Sequence, residues 1–512
     1  MFSNQLYFNP SVMPRFLARA TLAAFLIAIN FARAQTAAPE PASAAPFTLE
    51  ECIARAMKKN FDLQIQDYST AIARENLEIA KGDFDPNLSA SNSRSISNGT
   101  GRTVFFPDGS TAQLSGDSNS TNVNVGVSQK LPQTNGTISL SSGLSRQSTQ
   151  NPPYNGSVTA TVSQPLLKNF GPTVAKANIE TNKLGVSIAL LNYKSQVLTV
   201  VRNTENAYYS LVSARETLRI RKLSLALAQA LYDENVARRT SGVMTDLDVA
   251  TAELGVANAN LAVIQANQGV RTAEDSLQQL INADNFDAPP GQVMFPDYTD
   301  GVPAFAPTYK LVRENFPDTL STADQIKQLE ISLAVAKQNN KASLNLDASF
   351  QYGATDSSYG SAYGDALDSF PHLEHDTRRI ALTYTMPWGR RADNARYRSA
   401  SASLSQQKIR LDQLEQSLLV QVRTSVRAVE TNLASVGIAS KAAELSAKQY
   451  DLQKARFDAG LSTSRLVLQA QDDLETARLN ELTAKVALRT SVAELHRLDG
   501  TSLQRFRIQF PQ

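Results

Sequence analysis

The chain alternates between two kinds of hydrophobic spacing. From Asn87 to Ser163 apolar residues fall at every second position: Val123, Val125 and Val127 alternate with Asn124, Gly126 and Ser128, and Val158, Ala160 and Val162 with Thr159 and Thr161. A period of two gives strands with one apolar and one polar face. From Val174 to Arg238 there is no proline, and Leu184, Leu191 and Leu198 stand seven apart, as do Leu211, Leu218, Leu225 and Tyr232. Sustained heptads predict a long coiled-coil helix. Thr240-Ser241-Gly242 turns the chain, and Val249, Val256, Val263, Val270 and Leu277 carry the heptad back through a return helix over 246–282. A shorter helix from Thr48 to Lys81 precedes the strands, with Thr48 and Glu51 at capping-box spacing.

The same order then recurs. After a Pro/Gly-rich stretch, 283–317, a helix is expected from Asp318 to Lys341 and strands over 343–387. A long helix follows over 392–456, with Leu404, Leu411 and Leu418 in heptad spacing, and a return helix over 462–498. The first repeat spans 47–282 (strands 87–163, long helix 174–238), the second 318–498, and 499–512 is a tail. Adding 218 takes Tyr232-Asp233 to Tyr450-Asp451, Arg238 to Arg456, Gly242 to Gly460 and Arg271-Thr272 to Arg489-Thr490. Heptads alone would give apolar coincidences, not a matched Gly, Arg and Tyr-Asp at one shift. The pattern reads as an internal duplication.

Composition narrows the setting. The 512 residues carry a net charge of +2, with no basic excess of the kind nucleic-acid binders show. The one cysteine, Cys52, can form no internal disulfide and reads as a partly buried small hydrophobe. Arg15 and Arg19 precede an apolar run from Ala20 to Phe31 and an Ala32-Arg33-Ala34 site. Residues 1–34 therefore read as a cleaved signal peptide, with Met13 an alternative start and 35–46 a linker. No other apolar stretch of spanning-helix length is expected, so a membrane role requires a β-barrel. Neither a nucleotide motif nor a cluster of catalytic residue types stands out, so no enzyme activity or cofactor is expected.

Several segments together resemble the TolC-like outer-membrane efflux family, the outer membrane factors. Phe47 to Asn60 (FTLEECIARAMKKN) is similar to the family's first helix, and Ser163 to Leu167 (SQPLL) to its strand-to-helix junction. Asn206 to Val212 (NAYYSLV) resembles a mid-helix motif, while Arg238 to Gly242 and Arg456 to Leu461 resemble the two hairpin tips. The resemblance implies an α+β membrane protein, a homotrimer whose outer-membrane β-barrel is continued by a long antiparallel coiled-coil α-helical tunnel through the periplasm, encircled by a belt. It implies a passive export duct of a tripartite efflux or type I secretion system. Its partners would be a periplasmic adaptor (membrane fusion) protein, an inner-membrane pump or transporter, and outer-membrane lipid. Val293 to Pro296 and Ile508 to Pro511 could be belt strands or extended linkers. The alternative is a structural coiled-coil protein of the envelope with no pore, which explains the heptads but not the strands between them.

Within that frame the tips carry the candidate residues. Gly242, Val243, Gly460 and Leu461 are expected to meet the adaptor, although turn geometry alone would explain the glycines. Asp248 and Phe457 match a pair that closes the family's periplasmic entrance, but phenylalanine has no hydroxyl to donate. Asp248 is therefore expected to reach Arg456 or the backbone of the second tip, unless it is simply a helix-end charge. Positions matching further acidic residues are Leu466 and Gln469. Phe350, Tyr352, Tyr384 and Trp388 suit an aromatic girdle or ordinary strand packing. His372 to Asp376 contains possible metal-ligand types but lies in an expected outer loop. One departure stands out: the first half shows four strand-like stretches where the family has two. The family's barrel size favours the extra hairpin, Asn122 to Gln147, projecting from the wall.

Overall fold

A computed structural model describes residues 48–114, 116–148, 153–283, 291, 295, 301–358, 361–362, 364–365, 368 and 376–508. The expected signal peptide, His372 and His375 lie outside these residues.

The chain enters through α1 (Leu49–Lys59) and α2 (Phe61–Gly82). Where one helix was expected, Asn60 divides them: its backbone is extended and its Oδ1 accepts from Asp62 N at 3.0 Å, capping α2. Strands β1 (Asn87–Ser97), β2 (Arg102–Phe105), β3 (Thr111–Leu114), β4 (Ser118–Lys130), β5 (Thr137–Gln147) and β6 (Tyr154–Pro165) follow. A single turn, α3 (Pro172–Ala175), leads into α4 (Ala177–Thr240), and α5 (Asp246–Ile281) returns. The second half holds α6 (Phe305–Asn315), α7 (Pro317–Asn339), β7 (Ser343–Asp356), β8 (Asp376–Thr385), α8 (Arg391–Asp458), α9 (Ser464–Asp499) and α10 (Thr501–Arg505). Helix α6 occupies part of the stretch read as linker. The 64 residues of α4 and 68 of α8 span about 95–100 Å at ~1.5 Å per residue.

All main strands form one antiparallel sheet in the order β1-β4-β5-β6-β7-β8, and β2 pairs only with β3. The expectation of a projecting hairpin is thus overturned: β4 and β5 lie inside the sheet, between β1 and β6. Two local features hold them there. On the polar face, a Cβ at Gly143 would come 2.6 Å from Asn124 Oδ1, so glycine lets that amide lie over the neighbouring strand. At the helix-side end, the β4–β5 turn closes through Asn135 in the left-handed region (φ 62). Asn135 Nδ2 donates to Asn169 O at 2.8 Å and Gln164 Nε2 to Thr134 O at 3.2 Å, tying the turn to the exit of β6.

Helix α4 is the centre of the helical part. Its Val197, Leu198, Val200, Val201, Tyr208, Tyr209, Leu211 and Val212 are buried in one core with Cys52 and Ile53 of α1 and with Leu277 of α5. A second core joins Leu418, Val422 and Val429 of α8 to Leu488, Val492 and Leu495 of α9, and to Val312 of α6. By length and composition, α4 and α5 each hold an eighteen-residue stretch apolar enough to cross a membrane, contrary to the sequence expectation. A helix with neighbours on both flanks needs two apolar seams, which raises its average hydrophobicity. Ion pairs Arg202–Glu494 and Arg221–Glu475 stitch α4 to α9 across the two halves.

Candidate functional site

The two ends of the helical hairpins are built alike. At the first, Gly242 takes φ 77, its N–H donates to Arg239 O at 2.8 Å, and Val243 N donates to Arg238 O at 3.0 Å. At the second, Gly460 takes φ 75, with Gly460 N to Phe457 O at 2.9 Å and Leu461 N to Arg456 O at 2.8 Å. Both are Schellman closures, which need a left-handed residue after the helix. The return helices α5 and α9 begin 218 apart, at 246 and 464, and end 218 apart, at 281 and 499. Val243 and Leu461, at equivalent places, are 74% and 72% exposed.

The tips differ in their caps. Thr245 and Asp248 form a reciprocal capping box: Asp248 N donates to Thr245 Oγ1 at 3.3 Å, and Asp248 Oδ2 accepts from Thr245 N at 3.1 Å and Thr245 Oγ1 at 2.7 Å. At the second tip Thr463 makes no side-chain cap. The expected reach of Asp248 to Arg456 or to the second tip is not made within the chain, because Thr245 takes up its carboxylate. Arg456 is exposed, and its carbonyl serves the Leu461 turn.

Phe457 is engaged by other residues. Fully buried, it packs with Leu231 and Val467. The Arg238 guanidinium lies 4.4 Å from its ring centre and donates to its carbonyl at 3.1 Å, while Lys454 lies 5.3 Å from the same ring. Glu234 accepts from Arg238 at 2.5 Å and also from Lys454, which in turn donates to Asp458 at 2.8 Å. Asn235, buried, donates to Ser464 Oγ at 2.7 Å and to Asp248 O at 3.2 Å. Cation–π and charge-assisted contacts thus pin one hairpin to the other. Burial opposes the charge on Lys454, but the hydrogen bonds to Asp458 and Glu234 outweigh it and leave its pKa raised. Lys454 in turn holds Asp458 below the usual carboxylate range. Sequence reading missed this cluster, although Glu234–Arg238 and Lys454–Asp458 are both ion pairs at i,i+4 spacing.

At the opposite end the helices meet the sheet. Lys168 Nζ bridges to Asp393 Oδ1 at 3.2 Å, joining the exit of β6 to the start of α8, and Arg396 adds a second contact at 3.0 Å. Through these hydrogen bonds, the Lys168 contact foremost, Asp393 is held below the ordinary aspartate range. One sheet face is apolar: Leu88 pairs with Val127, Val127 with Leu140, Leu140 with Ala160 and Ala160 with Phe350. Tyr384 and Trp388 are exposed at the helix-side end of β8, whereas Tyr352 is fully buried and presents nothing to a lipid boundary. Of the expected belt stretches only Phe295 and Ile508 are described. Both pack on the α1–α4 core, Phe295 stacking on Tyr209 with ring centres 6.4 Å apart. The rest of those stretches lies outside the described residues.

The Outer membrane efflux protein family model matches residues 107–283 and 308–501. The chain belongs to that family. An outer membrane efflux protein is a channel of the bacterial outer membrane, with its helical portion in the periplasm, and works in a tripartite efflux system. Solved structures share the fold. The CmeC outer membrane channel of Campylobacter jejuni aligns at a TM-score of 0.66 with 17% identity, over 88% of this chain and 85% of that one. The MtrE outer membrane channel of Neisseria gonorrhoeae, in its open state, aligns at 0.64 with 18% identity over 88% of each chain. The outer membrane protein VceC of Vibrio cholerae aligns at 0.65 with 14% identity, over 88% and 96%. No curated protein sequence gives a significant match.

Proposed function

We propose that three copies of this chain assemble into a passive export duct whose barrel crosses the outer membrane and whose helical tunnel receives cargo from an inner-membrane pump through a periplasmic adaptor. One observation carries the assembly: a single copy leaves its lateral flanks open. Along α2, Phe61, Ile65, Tyr68, Ile72 and Ile79 form an apolar stripe that is at least 61% exposed throughout. Along α8, Ile438, Leu445 and Leu452, seven apart, are exposed as well. Stripes at helical and heptad spacing call for helical neighbours. A coiled-coil protein without a pore would explain those stripes but not a sheet with an exposed apolar face.

The two halves, with return helices equal in length and offset by one constant shift, derive in this reading from an internal duplication. The adaptor docks on the tips, where Val243 and Leu461 offer apolar contacts beside Gly242 and Gly460. The same tips form the resting gate. Asp248 acts there by shaping the first tip, Phe457 as the buried pin between hairpins, and exposed Arg456 as the group that reaches a neighbouring copy. Membrane fractionation with cross-linking tests the assembly. Detergent-dependent extraction and a cross-linked trimer are expected, and a monomer in the soluble periplasmic fraction would contradict the proposal.

A further inference from the structure

We propose that each copy contributes six strands to the barrel, β8 of one copy pairing with β1 of the next, so that the trimer closes an eighteen-stranded pore (three sixes) in place of the twelve that two strands per half would give. This rests on the trimeric duct proposed above.

Three observations converge on it. First, β1 and β8 are the two ends of the sheet, each paired on one side only, and every residue of β1 is exposed. Unpaired backbone groups are not tolerated in hydrocarbon, so both edges need a partner strand. β1 runs away from the helices and β8 runs back toward them, so a second copy offers each edge an antiparallel complement. A head-to-tail contact of this kind closes into a ring.

Second, the apolar face runs unbroken through the intercalated hairpin. Val125 and Val127 of β4, and Ile138 and Leu140 of β5, share it with Leu346 of β7 and Leu382 of β8 through successive cross-strand pairs. Val125, Val127, Ile138 and Leu140 are all more than 40% exposed in the single chain. In the wall they face lipid; on a projecting hairpin they would face water. The band ends alike on three strands, with Arg94, Arg146 and Arg378 on this face at the end away from the helices, where long basic side chains reach the headgroup level.

Third, the polar face of β4 and β5 is continuous with that of the other strands. Asn124, Ser141, Thr159 and Gln351 belong to it, and Ser163 donates to Asp347 across β6 and β7 at 2.6 Å. A water-filled lumen is lined by such hydroxyls and amides.

A β8-to-β1 register compatible with closure can then be chosen. Following partners across the sheet from Leu88 leads through Val127, Leu140, Ala160 and Phe350 to Arg378. Setting Tyr384 beside Ala90 of the next copy puts Arg378 beside Ile96, which keeps Arg378 and Arg94 from standing directly opposite. The sheet then climbs about eight residues per copy. At ~3.3 Å per residue and ~4.8 Å between strands, the strands tilt by about 43°. Outer-membrane barrels fall at roughly 35–45°. Because diameter grows about linearly with strand number, the bore is about 1.5 times that of a twelve-stranded barrel.

Electron cryomicroscopy of the full-length protein in lipid nanodiscs reads the strand count directly. The expected cross-section shows eighteen strands in three sectors of six. A threefold barrel of twelve strands, with residues 122–147 outside the wall, would overturn the proposal and leave the trimeric duct standing. A monomer, or particles with no barrel, would overturn the duct as well. The edge contact has its own check in a Cys52→Ser background. Ser91→Cys with Thr383→Cys, neighbours on the polar face in this register, should yield covalent dimers and trimers on oxidation, whereas each single variant should not. Monomers alone from the pair, in a preparation that still forms trimers, would overturn the β8-to-β1 register.

Discussion

Glu205 shows what burial does to one carboxyl. It sits on α4 beside Tyr208 and Tyr209, 2% exposed. Burial pushes its pKa up to about 7, with the Arg505 charge pulling the other way. An unfolded glutamate titrates near ~4.3, so folding favours the protonated form. Stability from this group is complete below that value and is lost as pH rises through about 7. The full difference is worth roughly 4 kcal/mol. Glu205→Gln keeps the shape without the charge. The thermal midpoint of the wild type should fall between pH 5 and pH 8, while that of the variant stays flatter and lies higher at pH 8. Parallel curves would show that Glu205 is stabilised as a carboxylate. Cys52 illustrates the same physics without a function: burial raises its thiol to about 12, which makes it a packing residue. Partial burial is legible from a lone cysteine, whereas the pKa of Glu205 is not legible in the sequence. The Arg505 charge near Glu205 comes from the far end of the chain, and its proximity is a product of the fold.

At the scale of elements, local signals were read well and non-local ones poorly. Heptads and the absence of proline mark the long helices, and the ends of α4 and α8 fall within a few residues of those expected. The short β2 and β3, and α6 inside a Pro-rich stretch, carry too few residues to show a period. The place of the β4–β5 hairpin depends on which strands neighbour it, and alternation along one strand does not encode that. The tip followed the same pattern. The turn glycines can be read locally, and of the two readings of Asp248, a reach to the second tip or a helix-end charge, the second agrees with its capping box to Thr245. The contact between hairpins runs instead through Arg238, Glu234, Lys454 and Phe457. Charge-assisted hydrogen bonds of this kind contribute about 1.5–3 kcal/mol each. Glu234→Gln combined with Lys454→Met should therefore loosen the tips and raise single-channel conductance, and Asp248→Ala should do so much less. Equal effects of the two would give the Thr245–Asp248 box as large a part in the gate as the ion-pair cluster. Because Asp458 titrates below its ordinary value, its pair with Lys454 along α8 is present above that ordinary value and is lost as pH falls through the lowered one.

For the whole molecule, one sequence supplies two surfaces with opposite demands. The sheet turns an apolar face outward, and the helices close seams of their own with stripes left for neighbours. The Lys168–Asp393 bridge and the tied β4–β5 turn hold the sheet and the helices together at their junction. That the chain is a channel, and not a scaffold of coiled coils, is tested most directly by recording current. Protein purified in detergent is added to a planar lipid bilayer. The account predicts discrete steps of low conductance at neutral pH, from a duct with closed tips, and larger steps from the Glu234→Gln, Lys454→Met variant. A bilayer that stays silent with both proteins, although each is shown to have inserted, would contradict it.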